Sequence, residues 1–298
     1  MSPRGSASST PQRWVVGHDG SAGANTAARW ALAQAHGRDV EMLVVRAWDV
    51  PALDFTLPMD SFEVFAPSAV CVDLDELMAL GADSGVAVHD RLVRGGAAAV
   101  LLDAGDDASM LVVGSRGLGG FRRLLIGSVS SQCATHARVP TVVVPAASKV
   151  EQPASRITVG LDGSEHSLDA LSWALDFAPE KSTIQVLGAW WMSRSGFTAV
   201  AQHYTHDFEH AQATFHELLD DVESSDRAGR VLERHFAFAD PATALLKASS
   251  EADLVVVGER GHTGVAAAML GSVATHLVHR SKVPVVVVPS TSNQSMPR

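Results

Sequence analysis

Residues 112–128 read VVGSRGLGGFRRLLIGS, and residues 256–272 read VVGERGHTGVAAAMLGS. In each, a valine-rich run ends at a glycine, more glycines follow, and a Gly-Ser pair opens a stretch of helical character. The first glycines, Gly114 and Gly258, stand 144 residues apart. The spacing recurs: Asp162 of VGLDGS follows Asp19 of VGHDGS by 143 residues, Trp173 follows Trp30 by 143, and Pro284 of VPVVVVP follows Pro140 of VPTVVVP by 144. Landmarks repeating at one spacing along the whole chain mean one domain, duplicated.

Composition agrees with two domains. A chain of 298 residues with 46% apolar content is long enough for two ordinary cores. The expected organisation is a disordered tail over 1–12, a first domain over 13–147, a second over 154–290 and a tail over 291–298. The opening MSPRGSASSTPQ lacks the apolar run of a signal peptide, and no segment approaches the ~18 uninterrupted apolar residues of a membrane span. The expectation is a cytoplasmic protein with no membrane partner. A net charge of -10 argues against nucleic acid, whose binders present a basic face. Cys71 and Cys133 both fall in the first half, so they read as small core residues and not as a disulfide framework or a zinc site.

The periods alternate between two and 3.6 along each half. In the first, strands are expected at 13–17, 40–48, 86–93, 110–114 and 141–145. Helices are expected from Ser21 to about His36, near 70–82 and 97–104, and from Ser128 to about Ala137. In the second, strands fall near 156–161, 183–190, 231–238, 253–258 and 285–289, with helices near 164–178, 202–223, 241–250 and 272–280. Alternating β and α with Val-rich runs is the pattern of an α/β fold: two tandem doubly wound five-stranded parallel sheets. A strand order of 3-2-1-4-5 puts Asp19 and the loop after Gly114 on opposite sides of one crevice, and likewise Asp162 and Gly258. The apolar last strands, TVVVP and VPVVVVP, are edge candidates through which the halves should pair as a pseudo-dimer.

The loops share the form G-x2-G-x9-G-S: Gly114, Gly117, Gly127 and Ser128, then Gly258, Gly261, Gly271 and Ser272. Glycines let backbone N–H groups approach an anion, and a helix N-terminus adds partial positive charge, so a net-acidic protein can still hold a triphosphate. The plainer reading is that the glycines only turn the chain. Two complete copies favour binding. No Gly-Lys-Ser/Thr is present, and the loop follows the fourth strand, which excludes the Walker and dinucleotide patterns.

With the strand-end aspartates and the five-stranded plan, these motifs resemble the ATP-binding branch of the universal stress protein family in its tandem form, over nearly the whole chain. The resemblance implies an adenine nucleotide alpha-hydrolase-like (Rossmann-like) fold with ATP and Mg²⁺ as cofactors, the metal carried by the phosphates and not by protein ligands. It places Gly117, Gly127 and Ser128 at phosphates and ribose, with Gly114 and Val129 flanking them and the Ala47 backbone at the adenine edge. Gly261, Gly271, Ser272, Gly258, Val273 and Ala189 match these positions. A homo-oligomer and a protein partner of unknown identity complete the expectation.

Asp19 and Asp162 can accept hydrogen bonds from adenosine or hold a metal-bound water, and the adenosine role is preferred. An Asp-Gly-Ser turn leading into a helix is compatible with it, because Ser21 or Ser164 can cap. His203, His206 and His210 share a helix face, yet Asp207 and Glu209 beside them indicate a solvated one. Trp48, Trp190 and Trp191 at strand ends read as packing. The loops hold no lysine and no repeated carboxylate, so the expected function is a nucleotide-dependent stress or signalling module with little or no hydrolysis. A slow ATP hydrolase and an assembly scaffold with degenerate sites are the alternatives.

Overall fold

The computed structural model describes residues 11–49, 72–117, 126–150, 152–190, 201–225, 230–261 and 269–290, with side chains 72, 73, 201–207, 224 and 225 left aside. Cys71, Trp191, Arg122, Arg123, His262, the side chains of His203 and His206, and most of the two tails lie outside the described residues. The first half runs β1 (Gln12–Gly17), α1 (Ala22–Ala35), β2 (Val40–Trp48), α2 (Val72–Ser84), β3 (Ala87–Arg94), α3 (Ala97–Gly105), β4 (Met110–Gly114), α4 (Ser128–His136) and β5 (Thr141–Val144). The second runs β6 (Arg156–Gly160), α5 (Glu165–Phe177), β7 (Thr183–Trp190), α6 (Ala201–Ser225), β8 (Val231–Phe238), α7 (Pro241–Ala248), β9 (Leu254–Gly258), α8 (Ser272–Arg280) and β10 (Val285–Val288). The helix expected over 241–250 is shorter than its pattern, because the chain tightens into a 3-10 turn at Ser249–Glu251.

Strand chemistry explains the layers. In β1, Trp14 and Val16 point into one core and Val15 into the other; in β4, Met110 and Val112 oppose Leu111 and Val113. All are buried, as strands covered on both faces require. Helix α1 buries Ala24, Ala27, Ala28, Ala31, Leu32 and Ala35, a stripe of mostly small side chains that lets the helix lie close to the sheet. Helices α1, α2, α5 and α6 cover one face, and α3, α4, α7 and α8 the other.

The two five-stranded sheets join into one of ten strands, in the order β3-β2-β1-β4-β5-β10-β9-β6-β7-β8. Pairing is parallel within each half and antiparallel between β5 and β10, where Val142 faces Val286 and is flanked by Val143↔Val285 and Thr141↔Val287. Val142 and Val286 are equivalent positions of the repeat, so a pseudo-twofold axis passes through that pair. The edge pairing expected of the last strands is made inside one chain.

Helices reinforce the junction on one face. Phe177 of α5 packs on Trp14, Trp30 and Trp173 with ring centroids 6.2, 6.4 and 4.6 Å away, while the Arg38 guanidinium lies 4.6 Å from its ring centre. At the repeat-equivalent position, Gln34 accepts from the Ala154 N–H at 2.9 Å and donates to the Gln152 carbonyl at 3.2 Å. Truncating Phe177→Ala removes a buried ring from between the halves and should cost about 3–5 kcal/mol in urea unfolding. Residues 154–290 expressed alone expose the β10 edge and should self-associate; a stable monomer in sedimentation would contradict the role given to that edge.

Candidate functional site

Each half builds a cleft from three chain segments at the carboxyl ends of its strands. The first segment leaves β1 through His18, Asp19 and Gly20, whose φ of 84° is the left-handed conformation that glycine adopts without strain. Ser21 then caps α1, accepting from the Ala24 N–H at 3.1 Å. The Ser21 N–H donates to Asp19 Oδ1 at 3.0 Å, and this fixes the carboxylate. The copy repeats the device: Gly163 has φ 83°, Ser164 caps α5, and Asp162 Oδ1 accepts from the Ser164 N–H at 3.0 Å and its hydroxyl at 2.6 Å. Turn-making and presentation of the second carboxylate oxygen coexist in both halves.

That second oxygen meets the glycine loop. A Cβ on Gly117 would stand 2.1 Å from Asp19 Oδ2, and one on Gly261 2.5 Å from Asp162 Oδ2. Gly114 and Gly258 are bare for another reason, since a Cβ there would strike the backbone of Gly23 at 2.7 Å or of His166 at 2.5 Å. Gly127 differs from all four. Its φ is -78°, and among the described residues a Cβ would meet nothing nearer than Ser130 Oγ at 3.4 Å, so their packing does not require glycine there. The missing side chain leaves room in the cleft.

Helix ends supply the polarity. Helices α4 and α8 begin at Ser128 and Ser272 behind Gly127 and Gly271, and neither has a side-chain cap. A glycine cap takes none of the first N–H groups with its own side chain, and Arg116 and Arg260 line the two clefts with these helix starts. The Ala47 backbone stands two residues past the last β1–β2 pair, Gly17↔Val45, on the rim; Ala189 stands likewise past Gly160↔Leu187.

The first cleft encloses about 390 Å³, and all seven expected residues of that half line it: Asp19, Ala47, Gly114, Gly117, Gly127, Ser128 and Val129. The second encloses about 110 Å³ and is lined by Asp162, Ala189, Gly258, Gly261, Gly271, Ser272 and Val273. Trp48 and Trp190 line neither; Trp190 packs against Phe208 and Phe238, with centroids 6.2 and 5.6 Å away. Among the described residues no group of three or more His, Cys, Asp or Glu could hold a metal ion, and no helix is long and apolar enough to cross a membrane. Cys133 sits on the buried side of α4, where burial pushes its thiol up to about 12.

Sequence reasoning missed His18, which lines the first cleft and is 5% exposed. Its Nδ1 accepts from the Gly20 N–H at 3.3 Å and its Nε2 lies 2.6 Å from Asn25 Oδ1, so both ring nitrogens are engaged. The signal was the difference between HDGS and LDGS at one repeat position.

Comparison with known proteins gives the same picture of two copies. The model of the universal stress protein family matches residues 11–145 and again 153–289. A universal stress protein of Mycolicibacterium smegmatis is 30% identical over 292 residues, covering 94% of this chain and 98% of the relative. One from Mycobacterium tuberculosis is 28% identical over 289 residues, covering 92% and 95%. The crystal structure of a universal stress protein from Archaeoglobus fulgidus superposes with a TM-score of 0.67 at 20% identity, covering 93% of this chain and 98% of that one, a likeness of fold. With its duplicated strand-end aspartates and glycine loops, the chain belongs to the universal stress protein family, as a tandem pair of its domains.

Proposed function

We propose that the first cleft binds ATP with Mg²⁺ and that the protein acts as a nucleotide-dependent stress-response or signalling module with little or no hydrolysis. The observation that carries this reading is Gly127: a glycine that the packing of the described residues does not need, in front of a helix N-terminus with no side-chain cap. The volume agrees, since about 390 Å³ falls within the ~300–1,000 Å³ of ordinary small-molecule sites.

In this arrangement the phosphates lie on the first N–H groups of α4, against Gly117, Gly127, Ser128 and Arg116. Adenosine lies toward Ala47 and Asp19, whose Oδ2 accepts from a hydroxyl or amino group. Magnesium carried by the nucleotide would neutralise phosphate charge, and no protein ligand is assigned to it. In the second half Asp162, Ala189, Gly261, Gly271 and Ser272 take the matching roles. Two features support little hydrolysis: both His18 nitrogens are engaged, and the open Asp19 Oδ2 is assigned to adenosine rather than to water at the γ-phosphate. A protein partner that reads the occupied state, and a homo-oligomer, belong to the same proposal.

Mass spectrometry of the small molecules released by heating the purified protein should show an adenine nucleotide, and calorimetry should show Mg·ATP binding that weakens when EDTA removes the metal. Gly117→Val drives a side chain against Asp19 and should abolish binding at the first cleft. Asp19→Ala should weaken it by about tenfold or more, the worth of a hydrogen bond to a charged group. Phosphate release near an ordinary enzyme's ~10 per second would sink the binding-module reading.

A further inference from the structure

Glu259 is the residue in which the two glycine loops differ most consequentially. It stands where the first half has Ser115, and the backbones around the two superimpose in their bonding. Ser115 donates its N–H to the Val144 carbonyl at 2.8 Å and accepts from the Gly127 N–H at 2.8 Å; Glu259 donates to Val288 at 2.9 Å and accepts from Gly271 at 2.8 Å. The difference lies in the side chains alone.

The Glu259 side chain is only 8% exposed, with Oε1 3.3 Å from Arg260 Nη2 and 3.6 Å from His166 Nε2. His166 occupies the repeat position of Gly23 in the first half. A carboxylate buried this deeply cannot release its counter-charge without becoming an uncompensated buried ion. Arg260, which lines the second cleft, thus has a carboxylate against one arm of its guanidinium, and the residue at the equivalent position before Arg116 is a neutral serine. The neighbouring helix adds to the contrast. Asp240 caps α7, accepting from the Thr243 N–H at 2.9 Å, and Pro241 lines the cleft; in the first half α3 follows Gly96 with no side-chain cap. Two carboxylates, Asp240 and Glu259, thus directly precede Pro241 and Arg260, which line the second cleft, and that cleft encloses about 110 Å³ against about 390 Å³.

We propose that Glu259 makes the two clefts unequal: it offsets the Arg260 charge that a phosphate would meet, so that the first cleft binds nucleotide more tightly and the second is the weak site. This rests on the nucleotide reading above, and it names the residue that regulates occupancy. The duplicated chain then has one strong site and one weak site, and the Glu259 carboxylate weakens the second.

The test uses the full chain and Mg·ATP in calorimetry. On a Gly117→Val background, which leaves the second cleft to be read alone, adding Glu259→Ser or the equally sized Glu259→Gln should tighten binding roughly tenfold at low salt, and less at high salt. On a Gly261→Val background, adding Ser115→Glu should weaken the first cleft by a similar factor. Unchanged second-cleft affinity, within about twofold, in both Glu259 variants would overturn the inference. Should those variants melt below the assay temperature, the Ser115→Glu arm decides, and no change there overturns it equally. A wild-type chain that takes up no Mg·ATP at either cleft removes the nucleotide reading itself, an outcome told apart by the unmutated protein alone.

Discussion

The antiparallel contact between β5 and β10 organises everything else in this molecule. Each half ends on a short, fully buried valine strand that would otherwise be a bare edge, with backbone donors and acceptors unmet. Pairing the two edges about Val142 and Val286 satisfies both at once. Because the pairing is antiparallel while each half is parallel inside, the strand ends of the two halves point in opposite directions. The clefts, built at those ends, therefore open on opposite edges of one sheet, and the helices of both halves fall in register on its two faces.

The clefts rest on a second constraint, repeated in each half. A parallel strand ending beside a helix N-terminus leaves backbone N–H groups directed at a common space. The Asp-Gly-Ser turn fills one side with a carboxylate whose first oxygen is spent on the turn and whose second presses on a bare glycine. Turn and cleft wall thus share one carboxylate through its two different oxygens, in Asp19 and again in Asp162. Gly114 and Gly258 serve packing and Gly127 leaves space, although all three look alike in a motif.

Duplication let the halves diverge around an unchanged frame. Trp30 and Trp173 are equivalents, yet only the second half adds Phe177 to make the aromatic stack, and the first spends the same position on Gln34 to bind the linker. The polar residues around the clefts diverged in the same way: His18 against Leu161, Gly23 against His166, Ser115 against Glu259. Each exchange is small in sequence. The clefts they surround enclose about 390 and 110 Å³.

Much of this was legible in the sequence because it is local. Strand and helix periods, the capping serines and the spacing of the glycines are set within a dozen residues, and the repeat confirmed each landmark twice. The fourteen residues read from the sequence as nucleotide contacts all lie along the two clefts. The part of the glycine loops carrying Arg122, Arg123 and His262 lies outside the described residues. His18 went unnoticed because one histidine in a turn has no signature until Asn25, a turn further along α1, is seen against it. The sequence by itself determined the elements, their duplication and the residues at the strand ends, because those follow from local pattern. Only the tertiary structure decided that two sheets become one, that the clefts differ in size, and that Glu259 lies buried against Arg260 and His166, because each depends on which distant segments pack together and exclude water.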